Sequence, residues 1–297
     1  MTVDSSPAVV VGVDGSATSE DAARWAASAA TRRNTRLRVI YAVMPMYPPA
    51  FPDASTLAMV DWEDLTADLL TAATEPLRQL HPQLQIETKV HVGQSAAMAL
   101  IIEAKSADLV VVGSRGRGGF TGLLLGSTAT QVLGKVAPPV VVVRPRDTEQ
   151  GPVKPGDPVV VGVDGSKPAQ RAVRFAVTEA AALRHTTVSV VHAWAAPDNP
   201  GITAPLATDI QDWPLLAQHA VDLVNETVAG VRADFPNVEI TGQVYNSQPI
   251  DALLDATRHA QLLVLGSRGR GAFTGLVLGS VSHSLVRGAH CPVAVLQ

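Results

Sequence analysis

Two stretches of this chain carry the residue types that could hold an anion. Gly113–Ser127 reads GSRGRGGFTGLLLGS, and Gly266–Ser280 reads GSRGRGAFTGLVLGS. Each follows an apolar run, Leu109–Val112 or Leu262–Leu265, and each leads into a segment with helical spacing. Glycines let backbone N–H groups approach a ligand closely. A helix start adds unpaired N–H groups and a favourable field for negative charge. Arg115 with Arg117, and Arg268 with Arg270, add positive charge. The shared pattern is Gly113, Gly116, Gly126 and Ser127, matched by Gly266, Gly269, Gly279 and Ser280. It points to a phosphate site, present twice, with Ser127 and Ser280 as helix N-caps or phosphate donors.

A second pair lies upstream. VVVGVDGS occurs at Val9–Ser16 and again, identically, at Val159–Ser166. Asp14 and Asp164 close the apolar run in each copy. A carboxylate at the carboxyl end of a parallel strand lies on the edge where open α/β sheets bind ligands, and it could accept hydrogen bonds from adenine or ribose. Asp-Gly is also a common turn pair for purely local reasons. The residues alone leave both readings open.

Other chemistries find less support. No GxxxxGK string followed by Ser or Thr is present, so the glycine loop is not that of P-loop enzymes. The loop after the first strand reads GVDGS, where a dinucleotide fingerprint would need GxGxxG. The histidines form no HxH or HExxH arrangement, so no metal centre is expected. His192 reads as a core or rim histidine. Cys291, the single cysteine, reads as a small buried residue, and no internal disulfide can form. Ser127 and Ser280 have no adjacent base, and no pair of carboxylates stands out as an acid–base couple. Nucleotide binding is therefore better supported than turnover.

The elements that must position these residues repeat in order. In the first half, β-branched runs at Val9–Val13, Leu37–Val43, Gln85–Val92, Leu109–Val112 and Val140–Val143 read as strands. Helical spacing falls between them, from a Ser19 cap to about Arg33, at Trp62–Leu80, at Ala96–Lys105 and at Ser127–Val136. Met44–Val60 is proline-rich and irregular. The second half repeats the sequence with strands at Val159–Val163, Val188–Ala193, Val238–Val244, Leu262–Leu265 and Val293–Leu296. Its helices are expected at Ala169–Arg184, Trp213–Phe235, Pro249–His259 and Ser280–Ala289, with an irregular Trp194–Asp212. Such alternation, with continuous apolar strands, means an α/β fold with a parallel sheet and helices on both faces. RPRDTEQGPVKPGDP joins the halves as a linker. The domains are thus expected at 1–146 and 159–297, with the linker at 147–158.

The chain has 297 residues, 46 % apolar and 17 % charged, enough to build real cores. Its net charge of −4 divides evenly between the halves. Nothing here recruits nucleic acid or an anionic membrane. No apolar run approaches a membrane span, and the N-terminal residues lack a basic patch before a long apolar run. A soluble cytoplasmic protein is expected.

These motifs together identify a resemblance to tandem-domain universal stress proteins of mycobacteria and related actinobacteria, one family domain per half. The carrying residues are the two VVVGVDGS copies, the two glycine loops, and the terminal strands in VAPPVVVVRP and AHCPVAVL. The glycine–serine spacing resembles the ATP-binding branch of that family. The resemblance implies two Rossmann-like domains, each a five-stranded parallel sheet of order 3-2-1-4-5, with ATP at the switch point and Mg²⁺ or Mn²⁺ on its phosphates. Asp14 and Asp164 would hold the adenosine end, flanked by backbone around Val13, Val43, Val163 and Trp194. The glycines, serines and arginines of both loops would hold ribose and phosphates. Val43 and Trp194 differ in bulk at matched positions, so the two pockets are expected to differ in affinity. The family further implies slow ATP hydrolysis or none, a homodimer of four domains, and a regulatory role with a protein partner in stress, hypoxia, dormancy or growth control. The alternatives are a nucleotide-dependent hydrolase or transferase, and an interaction scaffold in which nucleotide is incidental.

Overall fold

The structure, a computed structural model, describes residues 7–44, 61–116, 125–145, 154, 156–183, 186–194, 213–269 and 278–297. The chain divides into two compact units, Met1–Pro145 and Arg146–Gln297. No helix among the described residues is long and apolar enough to cross a membrane.

Unit 1 runs β1 (Ala8–Gly12), α1 (Ala17–Arg32), β2 (Arg36–Val43), α2 (Trp62–Leu80), β3 (Ile86–Val92), α3 (Ala96–Glu103), β4 (Leu109–Gly113), α4 (Ser127–Val132) and β5 (Val140–Val143). β1 lies between β2 and β4; β3 lies outside β2, and β5 pairs with the far side of β4. These pairings are all parallel. The strands are buried because their valines are covered on both faces, which is why their apolar runs are continuous rather than alternating. β3, which pairs with β2 only, mixes half-buried and exposed positions instead.

Unit 2 runs β6 (Val159–Gly162), α5 (Lys167–Leu183), β7 (Val188–Trp194), α6 (Trp213–Arg232), β8 (Ile240–Asn246), α7 (Pro249–Ala256), β9 (Leu262–Gly266), α8 (Ser280–Gly288) and β10 (Val293–Leu296). β6 lies between β7 and β9, with β8 beyond β7 and β10 beside β9, again in parallel. Both units are therefore α/β and Rossmann-like, but they are not copies in detail. α4 stops at Val132, short of the expected Val136, because Leu133 leaves the helical region and Gly134 takes φ +75°. At the matched place α8 has Arg287 and continues to Gly288.

The start of α1 differs from expectation. α1 begins at Ala17 and is capped by Ser16, whose side chain accepts the Ser19 N–H. Ser19 lies inside the first turn and is buried. Ser16 is the first hydroxyl after the turn and wins the capping position. α1 then buries Ala22, Ala23, Ala26, Ala27, Ala29 and Ala30. This small face lets the helix axis come close to the sheet. At Gly113 a Cβ would stand 2.9 Å from the Thr18 carbonyl oxygen, and at Gly266 one would stand 2.8 Å from Pro168 Cβ. Those two glycines are thus needed for helix–sheet packing as well as for any ligand.

Candidate functional site

Because β1 and β4 are neighbours while their following helices lie on opposite faces of the sheet, a crevice opens at their carboxyl ends. Strand alternation decides what faces it. Gly12 pairs with Ile40, and Val112 pairs with Val142. A Cβ on Gly12 would meet Leu100 of α3, so this row faces α3. Gly12, Ile40, Leu100 and Val112 form the apolar wall of a cavity of about 380 Å³, extended by Ala42 and Ala96. Asp14, Arg115, Gly116, Gly126 and Ser127 form its polar end.

The Asp14 carboxylate is held in place locally. Its Oδ1 accepts from the Ser16 N–H at 3.0 Å and from the Ser16 hydroxyl at 2.6 Å. Its Oδ2 lies over Gly116, where a Cβ would be only 2.4 Å away. Gly116 is a glycine because the carboxylate occupies that space. The glycine loop is tied at two further points: the Thr18 hydroxyl donates to the Arg115 carbonyl, and the Gly126 N–H donates to the Ser114 carbonyl at 2.7 Å. Gly126, not Ser127, is the N-cap of α4, and it offers no side-chain cap. The first turn bond runs from the Thr130 N–H to the Gly126 carbonyl. The N–H groups of Ser127, Thr128 and Ala129 therefore have no intrahelical acceptor and border the cavity.

Unit 2 repeats the construction in a larger cavity of about 600 Å³. Its apolar wall is Val191, Ala193, Pro249, Leu253 and Leu265; its polar end is Asp164, Ser166, Arg268, Gly269, Gly279 and Ser280. Asp164 Oδ1 accepts from the Ser166 N–H at 3.0 Å, and a Cβ on Gly269 would stand 2.3 Å from Oδ2. Gly279 caps α8 as Gly126 caps α4. Here too the serine expected as N-cap, Ser280, is the first helical residue. His192, expected as a core or rim histidine, is half-buried and does not line the cavity; its Nδ1–H donates to the Val163 carbonyl at 2.7 Å.

The expected residues Val13, Asp14, Gly113, Arg115, Gly116, Gly126 and Ser127 border the first cavity, and Val163, Asp164, Gly266, Arg268, Gly269, Gly279 and Ser280 the second. Val43 and Trp194 do not; Ala42 and Ala193, one residue earlier, do. The period of two sends Val43 and Trp194 to the other face. Arg117 and Arg270 lie outside the described residues, as do most of the irregular segments expected at Met44–Val60 and Trp194–Asp212. Sequence reasoning missed the apolar wall. Leu100 and Leu253 occupy matched places in the two halves, and that coincidence was the one available signal.

Taken by its fold, the protein is a tandem α/β protein with one crevice at the strand ends of each unit. The family model for the universal stress protein family matches residues 7–144 and 156–297. A universal stress protein of Mycolicibacterium smegmatis is 34 % identical over 294 residues, covering 97 % of this chain and 96 % of the relative. The universal stress protein Rv2623 of Mycobacterium tuberculosis is 34 % identical over 303 residues, covering 99 % and 97 %. A crystal structure of a universal stress protein from Archaeoglobus fulgidus shares the fold over 98 % of both chains, with a TM-score of 0.64 at 19 % identity. The chain belongs to the universal stress protein family.

Proposed function

We propose that each unit binds one adenine nucleotide, ATP in its working form, and that the chain is a stress-response regulator whose state follows occupancy of the two crevices. The observation that carries this reading is the recurrence, within one chain, of a strand-end carboxylate, a glycine loop with an arginine, and an apolar wall around one cavity. Such a mixture suits a nucleotide. The apolar wall takes the flat base, with Ile40, Ala42 and Leu100 on one side in unit 1. Asp14 accepts hydrogen bonds from the adenosine end. Arg115 and the N–H groups at the start of α4 meet the phosphates. Arg117 and Arg270 are proposed as further phosphate contacts.

Among the described residues no group of three or more His, Cys, Asp or Glu could hold a metal ion. A Mg²⁺ or Mn²⁺ would then be held by the phosphates and water, where it offsets phosphate charge. Slow hydrolysis or none is proposed, together with assembly as a homodimer of four domains. Freshly purified protein should be denatured and the released nucleotide quantified per chain by chromatography, beside a sample given ATP and Mg²⁺. About two adenine nucleotides per chain is the expected result. None in either sample would remove the nucleotide reading and leave the crevices to structure alone.

A further inference from the structure

The clearest difference between the two crevices lies behind their apolar walls. In unit 1, the spacing of Ala96, Leu100 and Glu103 along α3 puts all three on one face of the helix. Ala96 and Leu100 line the crevice, and Glu103, in the last turn, is buried. The sheet opposite is built the same way. Arg38, Ile40 and Ala42 alternate onto one face of β2 and pair with Glu87, Lys89 and His91 of β3. Ile40 and Ala42 line the crevice, while the charged residues continue the row and close on Glu103. Arg38 Nη1 donates to Glu103 Oε2 at 2.9 Å and to the Ser106 hydroxyl at 3.1 Å. Lys89 Nζ and His91 Nε2 reach Oε1 at 2.5 and 2.9 Å. Glu87, paired with Arg36 at 2.7 Å, also accepts from Arg38 at 3.4 Å. β1 and α4, which also pack on α3, contain no titratable side chain. Lys105, Asp108 and Lys135 border a separate cavity that Glu103 does not line.

In unit 2 the same frame is uncharged. Pro249, Leu253 and Ala256 take the matched places on α7, and Pro249 and Leu253 line the crevice. Ser189, Val191 and Ala193 of β7 pair with Thr241, Gln243 and Tyr245 of β8. The Tyr245 hydroxyl donates to Gln243 Oε1 at 2.7 Å, a bond within β8 itself. We propose that Glu103 is a positioning residue for the adenine end of the unit 1 crevice: gripped by Arg38, Lys89 and His91, it holds the α3 face that carries Ala96 and Leu100 against the base, whereas α7 of unit 2 is seated without a charged grip at that place. This rests on the nucleotide reading above. Apolar contact is non-directional, while a buried carboxylate with hydrogen-bonded cations around it fixes a helix in one place. The gripped crevice is also the smaller, at about 380 Å³ against about 600 Å³. Burial works against the ionised Glu103, but Lys89, Arg38 and His91 outweigh it and hold its carboxyl below the ordinary value. The grip therefore persists above that lowered value and is lost as pH falls through it.

The test uses the full chain with one crevice disabled at a time: Asp164→Ala isolates unit 1 and Asp14→Ala isolates unit 2. ATP is titrated calorimetrically in each background, and inorganic tripolyphosphate serves as a probe without a base. Glu103→Gln keeps the shape of the side chain and removes its charge. In unit 1 it should weaken ATP about tenfold, the size of a coupling within one network, and change tripolyphosphate less than about twofold. In unit 2 it should change ATP less than about twofold. Lys89→Met, at an exposed position, should weaken ATP in unit 1 by a smaller factor, and Arg38→Lys should keep most of the affinity. The ATP affinity of unit 1 relative to unit 2 should fall as the pH is lowered, and should stay level in Glu103→Gln. Protonation of ATP, and of the matched Asp14 and Asp164, cancels in that ratio. A lower melting temperature in Glu103→Gln with unchanged ATP affinity, equal losses for ATP and tripolyphosphate, or equal losses in both units would overturn the positioning role while leaving nucleotide binding intact. Absence of any ATP binding to the unmodified chain would instead overturn the nucleotide reading itself.

Discussion

Asp14 and Gly116 lie far apart in the chain yet share one small volume. The carboxylate fixes the residue type at 116, because Oδ2 takes the place of a Cβ. Gly116→Ala should therefore push the Asp14 carboxylate aside, costing about 1–2 kcal/mol of stability as an overpacked contact. It should also empty the unit 1 crevice. Urea denaturation with a calorimetric titration of nucleotide checks both parts; unchanged nucleotide affinity in Gly116→Ala would end the role given to Asp14. Gly279→Ala is the contrasting case. Its Cβ would have no neighbour nearer than 3.6 Å, an ordinary contact. Stability should stay within about 0.5 kcal/mol of the unmodified chain. Loss of nucleotide from unit 2 in that variant would then report a ligand contact rather than damage to the fold.

At the scale of elements, α3 is held to its sheet by charge in unit 1. This helix presents Ala96 and Leu100 to the crevice, and its last residue, Glu103, is buried. Glu103 receives Arg38 at 2.9 Å, Lys89 at 2.5 Å and His91 Nε2 at 2.9 Å. Arg38 and Arg36 also reach Glu87, at 3.4 and 2.7 Å. Burial alone would raise the Glu103 carboxyl, but Lys89, Arg38 and His91 outweigh it and hold the group below its ordinary value. A carboxyl depressed in the folded state adds stability above its unfolded value, and that stability is lost as pH falls through the folded value. Denaturation curves taken through the acid range should show this loss in the unmodified chain and a smaller one in Glu103→Gln. Identical pH dependence in both would refute it. Glu103→Ala should cost about 3 kcal/mol, the lower end for breaking a buried pair, because Arg38 keeps Glu87. Unit 2 has no such grip: Ser189, Gln243, Tyr245 and Ala256 stand at the matched positions.

For the whole molecule, the repeat makes occupancy countable. A ligand that binds the folded chain only stabilises it by about 2.7 kcal/mol per site at a hundredfold excess over Kd. Saturating ATP should raise the melting temperature of the unmodified chain most. Asp14→Ala and Asp164→Ala should each keep part of the rise, and the double variant should keep none. A double variant that still responds fully to ATP would place binding outside the two crevices.

The α/β alternation was legible in the sequence, since it depends on a local pattern. Runs of valine mark buried strands wherever they occur, and VVVGVDGS needs no partner to be recognised as a repeat. The caps were less legible. Ser16 in place of Ser19, and Gly126 in place of Ser127, differ by a shift of one to three residues that only the turn geometry settles. The apolar wall, the contact of Asp14 with Gly116 and the grip of Arg38 on Glu103 could not be read locally. They join residues far apart in the chain. Which residues meet there depends on which strands are neighbours, and on which of two faces each side chain takes once the register is set.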